Sequence, residues 1–206
     1  MHSKTITAGA FVVMTASFAM ADITPIGSFD ADATESFESF PRGFVRGAVD
    51  VFDGHARVMS NTGSGWIHAT SSWGFRSTVR AMDGGYLLGS TRNGLAFEFD
   101  QNVSAFGAAF ATNSNVAGGK IRFFDTDGVL LDSATIQIAD DGQWTYNAWG
   151  IDEAVRRIEI TGNYYGEGVG GFVMLDKASV AFASVPAPGV LASLGLLGIA
   201  SGRRRK

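Results

Sequence analysis

The 206-residue chain contains no cysteine, so neither a disulfide framework nor thiol chemistry is open to it. Its formal charge of −4 understates its acidity, because Lys4, Arg203, Arg204, Arg205 and Lys206 stand at the two ends, where eleven other cations face all twenty carboxylates across 22–184, a net −9. That sign repels phosphate backbones and argues against nucleic acid as a partner, while the length suits one domain with a core of its own.

The chain opens on a lone cation, Lys4, followed by an apolar stretch from Ala8 to Met20. The small-x-small triplet Ala19-Met20-Ala21 then precedes Asp22. This is the layout of a secretory signal cut after Ala21, making 1–21 a signal peptide and placing the domain from Asp22 onward outside the cytoplasm.

From 22 to 184 the pattern is that of strands. Leu95-Ala96-Phe97-Glu98-Phe99-Asp100 alternates large apolar residues with small or charged ones, the period of a half-buried strand. Ile121-Arg122-Phe123-Phe124, Ile136-Gln137-Ile138 and Arg157-Ile158-Glu159-Ile160 repeat it. Between them stand the turn signals Asp83-Gly84-Gly85, Gly118-Gly119, Asp127-Gly128 and Asp141-Gly142. Asp127-Gly128 reads as the two-residue turn of a hairpin, and the segment around Ile151–Ala154 as a short helical turn. Twenty-seven glycines and strands about ten residues apart favour an all-β fold, a single antiparallel jelly-roll-like β-sandwich, over alternating strands and helices.

Candidate chemistry along this domain is sparse. Glu98 and Asp100, two apart on a strand, point to one face at a spacing of about 6.5–7 Å that a glycosidase could use. Nothing nearby suggests a buried acid, and a solvated face accounts for them. Gly166-Glu167-Gly168-Val169-Gly170-Gly171 fits G-x-G-x-x-G, but Phe172-Val173-Met174-Leu175 continues as a strand where a nucleotide site needs a helix. Asp125-Thr126-Asp127-Gly128 starts like a calcium loop, yet Val129 and Ile136 occupy positions that would need oxygen ligands. A better-placed calcium pair is Glu38 on the first strand and Asp176 on the last. His55 and His68 lack a third ligand for zinc, and no G-x-S-x-G elbow is present. The reading is therefore non-catalytic.

Aromatic residues offer one further lead. Gly63-Ser64-Gly65-Trp66 through Ser77 places Trp66 and Trp73 in a Gly/Ser-rich stretch. Flat rings beside hydrogen-bonding side chains suit the C–H face and hydroxyls of a sugar, so these two are the candidate ligand surface. Trp144 and Trp149 read as core.

The last residues are Val185-Pro186-Ala187-Pro188-Gly189, an uncharged run over 189–202, and Arg203-Arg204-Arg205-Lys206. A helix over 189–202 would rise about 21 Å, short of a hydrocarbon core of about 30 Å. Cations directly after an apolar run are the positive-inside signature and put Lys206 in the cytoplasm.

This three-part tail resembles the PEP-CTERM sorting signal of Gram-negative bacteria, with Ala187 where that family usually has Glu between the prolines. The resemblance implies that 185–206 is a sorting tail recognised by an exosortase, with Val185, Pro186, Ala187, Pro188 and Gly189 as its motif. In that reading 189–202 is a transmembrane helix and Arg203, Arg204 and Arg205 form its basic end. It also implies a protein held in the membrane before processing and released to the cell surface or matrix, often in association with extracellular polysaccharide. The succession from Leu95 through the Asp125–Gly128 hairpin to Gly171-Phe172-Val173-Met174-Leu175-Asp176 is similar to a pattern of exported β-sandwich proteins with such tails, with Lys177 where a second aspartate is common. The expected molecule is an exported, non-catalytic surface or matrix protein. The alternative is a lectin-like carbohydrate-binding module carrying a structural Ca²⁺, and a glycan-active enzyme is the third possibility.

Overall fold

The computed structural model describes residues 22–63, 65–74, 78–90, 94–113, 118–139, 142–162 and 172–184. They form strands β1 (Ile23–Ile26), β2 (Ala33–Glu35), β3 (Gly43–Arg46), β4 (Val49–Val51), β5 (Ala56–Ser60), β6 (Trp66–Thr70) and β7 (Ser72–Trp73), then β8 (Val79–Arg80), β9 (Leu87–Ser90), β10 (Leu95–Ala111), β11 (Gly119–Phe124), β12 (Leu130–Ile136), β13 (Thr145–Gly162) and β14 (Val173–Phe182). One short 3₁₀ turn, Phe52–Gly54, interrupts them. All paired strands run antiparallel.

Two long strands organise everything else. β10 pairs with β13 twice, Leu95–Glu98 against Arg157–Ile160 and Val103–Phe110 against the 145–155 stretch, with the register shifted between. The first half of β10 also pairs with β5, and the second half with β14. Both long strands thus bend from one layer into the other, as bulges allow. One layer runs β12-β11-β13-β10-β5-β4, and the other runs β1-β13-β10-β14-β9-β6-β3, with β2 beside β14. The all-β sandwich expected from the alternation is what forms.

Between the layers lies one hydrophobic cluster. Phe97, Ile121, Phe123, Ile158 and Ile160 enter it from the first layer, and Phe106, Phe110, Trp149, Leu175 and Ile67 from the second. A smaller cluster sits on the outer side of the second layer. There Val79, Ala81, Leu87, Ala111 and Met174 pack with Trp73, Trp144 and Phe172, so Trp144 lies outside the main core.

Two local expectations are corrected. Ile151–Ala154 is not helical: it is continuous with β13, because Ile151 pairs with Ile23 and is buried in the core. The β11–β12 connection is longer than a two-residue turn. The Asp125 N–H donates to the Val129 carbonyl, and Asp125 Oδ1 accepts from both the Asp127 and Val129 amides. An aspartate that satisfies its own loop amides competes successfully with the tighter turn.

Glu35 holds two strained stretches of backbone. Its carboxylate accepts the Phe37 N–H at 2.6 Å and the Phe52 N–H at 3.2 Å. Both phenylalanines are fully buried with φ of +61° and +53°, a region that bulky residues avoid.

Candidate functional site

The β3–β6 ribbon ends the second layer, and its residues alternate cleanly. Ile67 and Ala69 are buried, while Trp66 and His68 are turned to the opposite side, as are Phe44 and Arg46 on β3. Register puts Phe44 directly across from His68, and Arg46 across from Trp66. The Phe44 and His68 rings stack at 4.2 Å with only 14° between planes. Phe44 meets Trp66 edge-on at 6.1 Å, and the Arg46 guanidinium lies 4.2 Å over the Trp66 ring.

The row continues inward. His68 touches Trp73 at 5.2 Å, and Trp73 touches Phe172 at 6.3 Å. Trp73 can lie there because β9 has no side chain beneath it: a Cβ on Gly89 would stand 2.8 Å from the indole. Burial pushes the His68 pKa down, so the imidazole is neutral at pH 7 and Arg46 supplies the only formal charge among these residues. Phe44 is 59% exposed and Trp66 39% exposed. Such large rings seldom stand this open in a contiguous row without a partner to cover them.

Trp66 and Trp73, the two residues singled out by sequence, therefore belong to one surface. They are joined through Phe44 and His68, which sequence reasoning misses. Phe44 sits in a short Gly-flanked segment with no strand period to reveal it. His68 stands out in sequence only as a zinc ligand without companions.

Glu38 and Asp176 approach one loop from two ends. Glu38 Oε1 accepts the Tyr86 N–H at 2.9 Å and fills the space that a Cβ on Gly85 would need. Asp176 is 3% exposed and uses both oxygens, Oδ2 on the Met82 amide and Oδ1 on the Lys177 amide, each at 2.8 Å. Lys177 has φ of +50° where β10 and β14 shift register, and its ammonium pairs with Asp83 at 2.8 Å. The two carboxylates thus clamp 82–86. Among the described residues no three His, Asp or Glu side chains gather as metal ligands.

Burial raises the Asp176 pKa, against the pull of the Met82 and Lys177 amides. The unfolded chain ionises first, near the ordinary 3.8, and the folded chain only at higher pH. Stability from this group is complete below about 3.8, falls as pH rises to the raised value, and is level above it. Asp176→Asn removes that titration and offers one acceptor where two amides need one, so it should cost about 1–3 kcal/mol. The stability advantage of the wild type over the variant should be largest in acid and shrink as pH rises, as read by paired denaturant melts. A gap independent of pH would contradict this account.

Glu98 and Asp100 do not act as a carboxyl pair. Glu98 bonds Arg57 on β5 and Arg157 on β13, and Arg157 also bonds Glu159, which pairs with Arg122 on β11. The result is a ladder of alternating charge across four strands. Asp100 turns instead to His55, 3.4 Å away.

The Gly166–Gly171 stretch, the signal segment and the tail from Val185 onward lie outside the described residues. Among the described residues no helix is long and apolar enough to cross a membrane.

No protein-family model matches the chain, and no curated protein matches it. Among solved structures it is similar to the CBM22-1 xylan-binding domain of Paenibacillus barcinonensis Xyn10C, at 14% identity over 77% of this chain and 100% of that one, with a TM-score of 0.43. It is similar also to the C-terminal family 22 carbohydrate-binding module of Clostridium thermocellum Xyn10B, at 14% identity over 76% and 97%, TM-score 0.40. A third is the K2 cleaved adhesin domain of Lys-gingipain, at 11% identity over 72% and 98%, TM-score 0.44.

Proposed function

We propose that this is a non-catalytic, exported β-sandwich that holds neutral polysaccharide on the outer aromatic row of β3 and β6. The observation that supports it is the open, contiguous placement of Phe44 and Trp66 beside neutral His68. Sugar rings present C–H groups to an aromatic face; Phe44, stacked on His68 with one face, offers such a surface, and the Arg46 guanidinium over Trp66 sets a hydrogen-bond donor beside it. Arg46 stands on the same side of the ribbon and supplies N–H donors for hydroxyls.

Cross-strand ring pairs also steady an edge ribbon, by about 0.2–1 kcal/mol each. That role would leave the rings without a ligand. Affinity electrophoresis against a panel of neutral polysaccharides separates the two. At least one polysaccharide should retard the protein, and Phe44→Ala with Trp66→Ala should weaken that retardation about 10–100-fold, the scale of an interface hot spot. The melting temperature should fall by no more than a few degrees. Retardation by none of the panel, or retardation unchanged in the double variant, would leave the row a purely structural feature.

The sequence tail supplies the setting for this reading. Export by residues 1–21 and sorting by 185–206 through an exosortase would deliver the sandwich to the cell surface or matrix, anchored by 189–202 until processing. Calcium between Glu38 and Asp176 is not needed for it, since amides already occupy the oxygens that the structure shows engaged.

A further inference from the structure

We propose a second ligand site, on the other layer, that takes a uronate unit of an acidic polysaccharide. The site is a hollow of about 460 Å³ between the Asp125–Gly128 turn and the outer edge of β5, β10 and β13. That volume falls within the range of small-ligand sites. Phe99, 6% exposed, contributes to its wall, as do Arg57, Arg156 and Arg157 with Glu98, Asp125 and Asp127.

Three cations and three carboxylates look self-neutralising, but their contacts are not evenly spent. Arg157 spends four of its five donors on Glu98, Glu159 and the Asn61 carbonyl. Glu98 is likewise shared between Arg57 and Arg157. Arg57 gives only one nitrogen to Glu98, at 3.3 Å. Arg156 is half-buried and makes no ion pair with any described residue.

Arg156 stands where it does because of the corner. Opposite it, β10 spends four residues, 99–102, between the Glu98 and Val103 pairings, while β13 spends only Arg156 between Val155 and Arg157. A partly buried guanidinium with no ion-pair partner among the described residues suits a planar anion, and a carboxylate matches its fork. On the acidic side, the Asp127 side chain has no bond among the described residues, and Asp125 uses a single oxygen on its own loop. Free carboxylate oxygens accept sugar hydroxyls.

A ligand that satisfies both sides carries one carboxylate and several hydroxyls on a compact ring. A neutral sugar would leave Arg156 unmatched, and a ligand of higher charge would meet more repulsion from Glu98, Asp125 and Asp127 than a single carboxylate does. The net −9 of the domain does not forbid an anionic sugar, because charges beyond about 8 Å are screened at physiological ionic strength.

The test is calorimetric titration of the purified protein with tetragalacturonate and with its carboxyl-reduced neutral counterpart. Tetragalacturonate should bind, and the reduced form should bind at least about tenfold more weakly. Arg156→Gln should cost about 10–100-fold in tetragalacturonate affinity, and Phe44→Ala should leave it unchanged, which separates this site from the aromatic row. Should Arg156→Gln fold poorly, Asp127→Asn on the exposed turn serves instead and should weaken binding several-fold. Absence of tetragalacturonate binding, equal affinity for the reduced oligomer, or wild-type affinity in a folded Arg156→Gln protein would overturn the proposal.

Discussion

Trp149→Ala should lower the melting temperature by roughly 6–20 °C and leave little margin at growth temperature. Trp149 is 2% exposed and sits where the two layers meet. Phe110 from the second layer and Phe123 from the first both contact it edge-on, each at 6.1 Å. Removing it forfeits the buried area and two edge-to-face contacts, and leaves a cavity that neighbours on two bent strands cannot close. Such truncations cost about 3–5 kcal/mol, against about 5–15 kcal/mol for a whole domain. In a domain of this size each kcal/mol shifts the midpoint by about 2–4 °C. Trp149→Phe, which keeps an aromatic between the layers, should recover much of the loss. A shift of under about 3 °C for the alanine variant would mean that the layers do not depend on this contact.

The second large effect concerns the tail. Replacing Pro186, Pro188 and Gly189 with alanine should hold the protein at full length in the membrane fraction of a host with the matching exosortase. Pro186 and Pro188 disfavour a helical conformation in the residues before them, and an extended segment is the form that a peptidase cleft accepts. The run over 189–202 is short of a full span and interrupted at Gly195 and Gly198, so as a membrane helix it would be anchored only modestly by hydrophobicity alone. Arg203, Arg204, Arg205 and Lys206 would fix its inner end. An extended site held just outside a marginal span would be suited to cutting. Intact-mass measurement of the surface form should show a wild-type chain ending near 186–189. A wild-type chain still ending in Arg-Arg-Arg-Lys would make the tail a plain anchor.

Alternation is enough to read the fold class, because a strand with one buried face must place apolar residues two apart, and Leu95–Phe99, Ile121–Phe123 and Ile158–Ile160 do so. It cannot show that β10 and β13 each serve both layers. The bend depends on how many residues each strand spends at the corner, a property of the pair and of neither sequence alone. The same pairing makes Ile151–Ala154 strand, since the register with β1 outweighs local preference.

Trp66 and Trp73 are legible as a candidate surface by composition, but what joins them is not. Phe44 comes from 22 residues before Trp66, and only antiparallel register sets it on His68. The charge ladder from Arg57 to Arg122 is likewise assembled from four strands. Glu35 carries no signal in sequence; folding gives it two buried, left-handed phenylalanines to hold. By itself the sequence determined which residues face inward, the acidity of the domain and the address-like pattern of its two ends, all local properties of spacing and charge. Tertiary structure alone decided which outward side chains meet, because cross-strand neighbours are chosen by register and bulges that no single segment encodes.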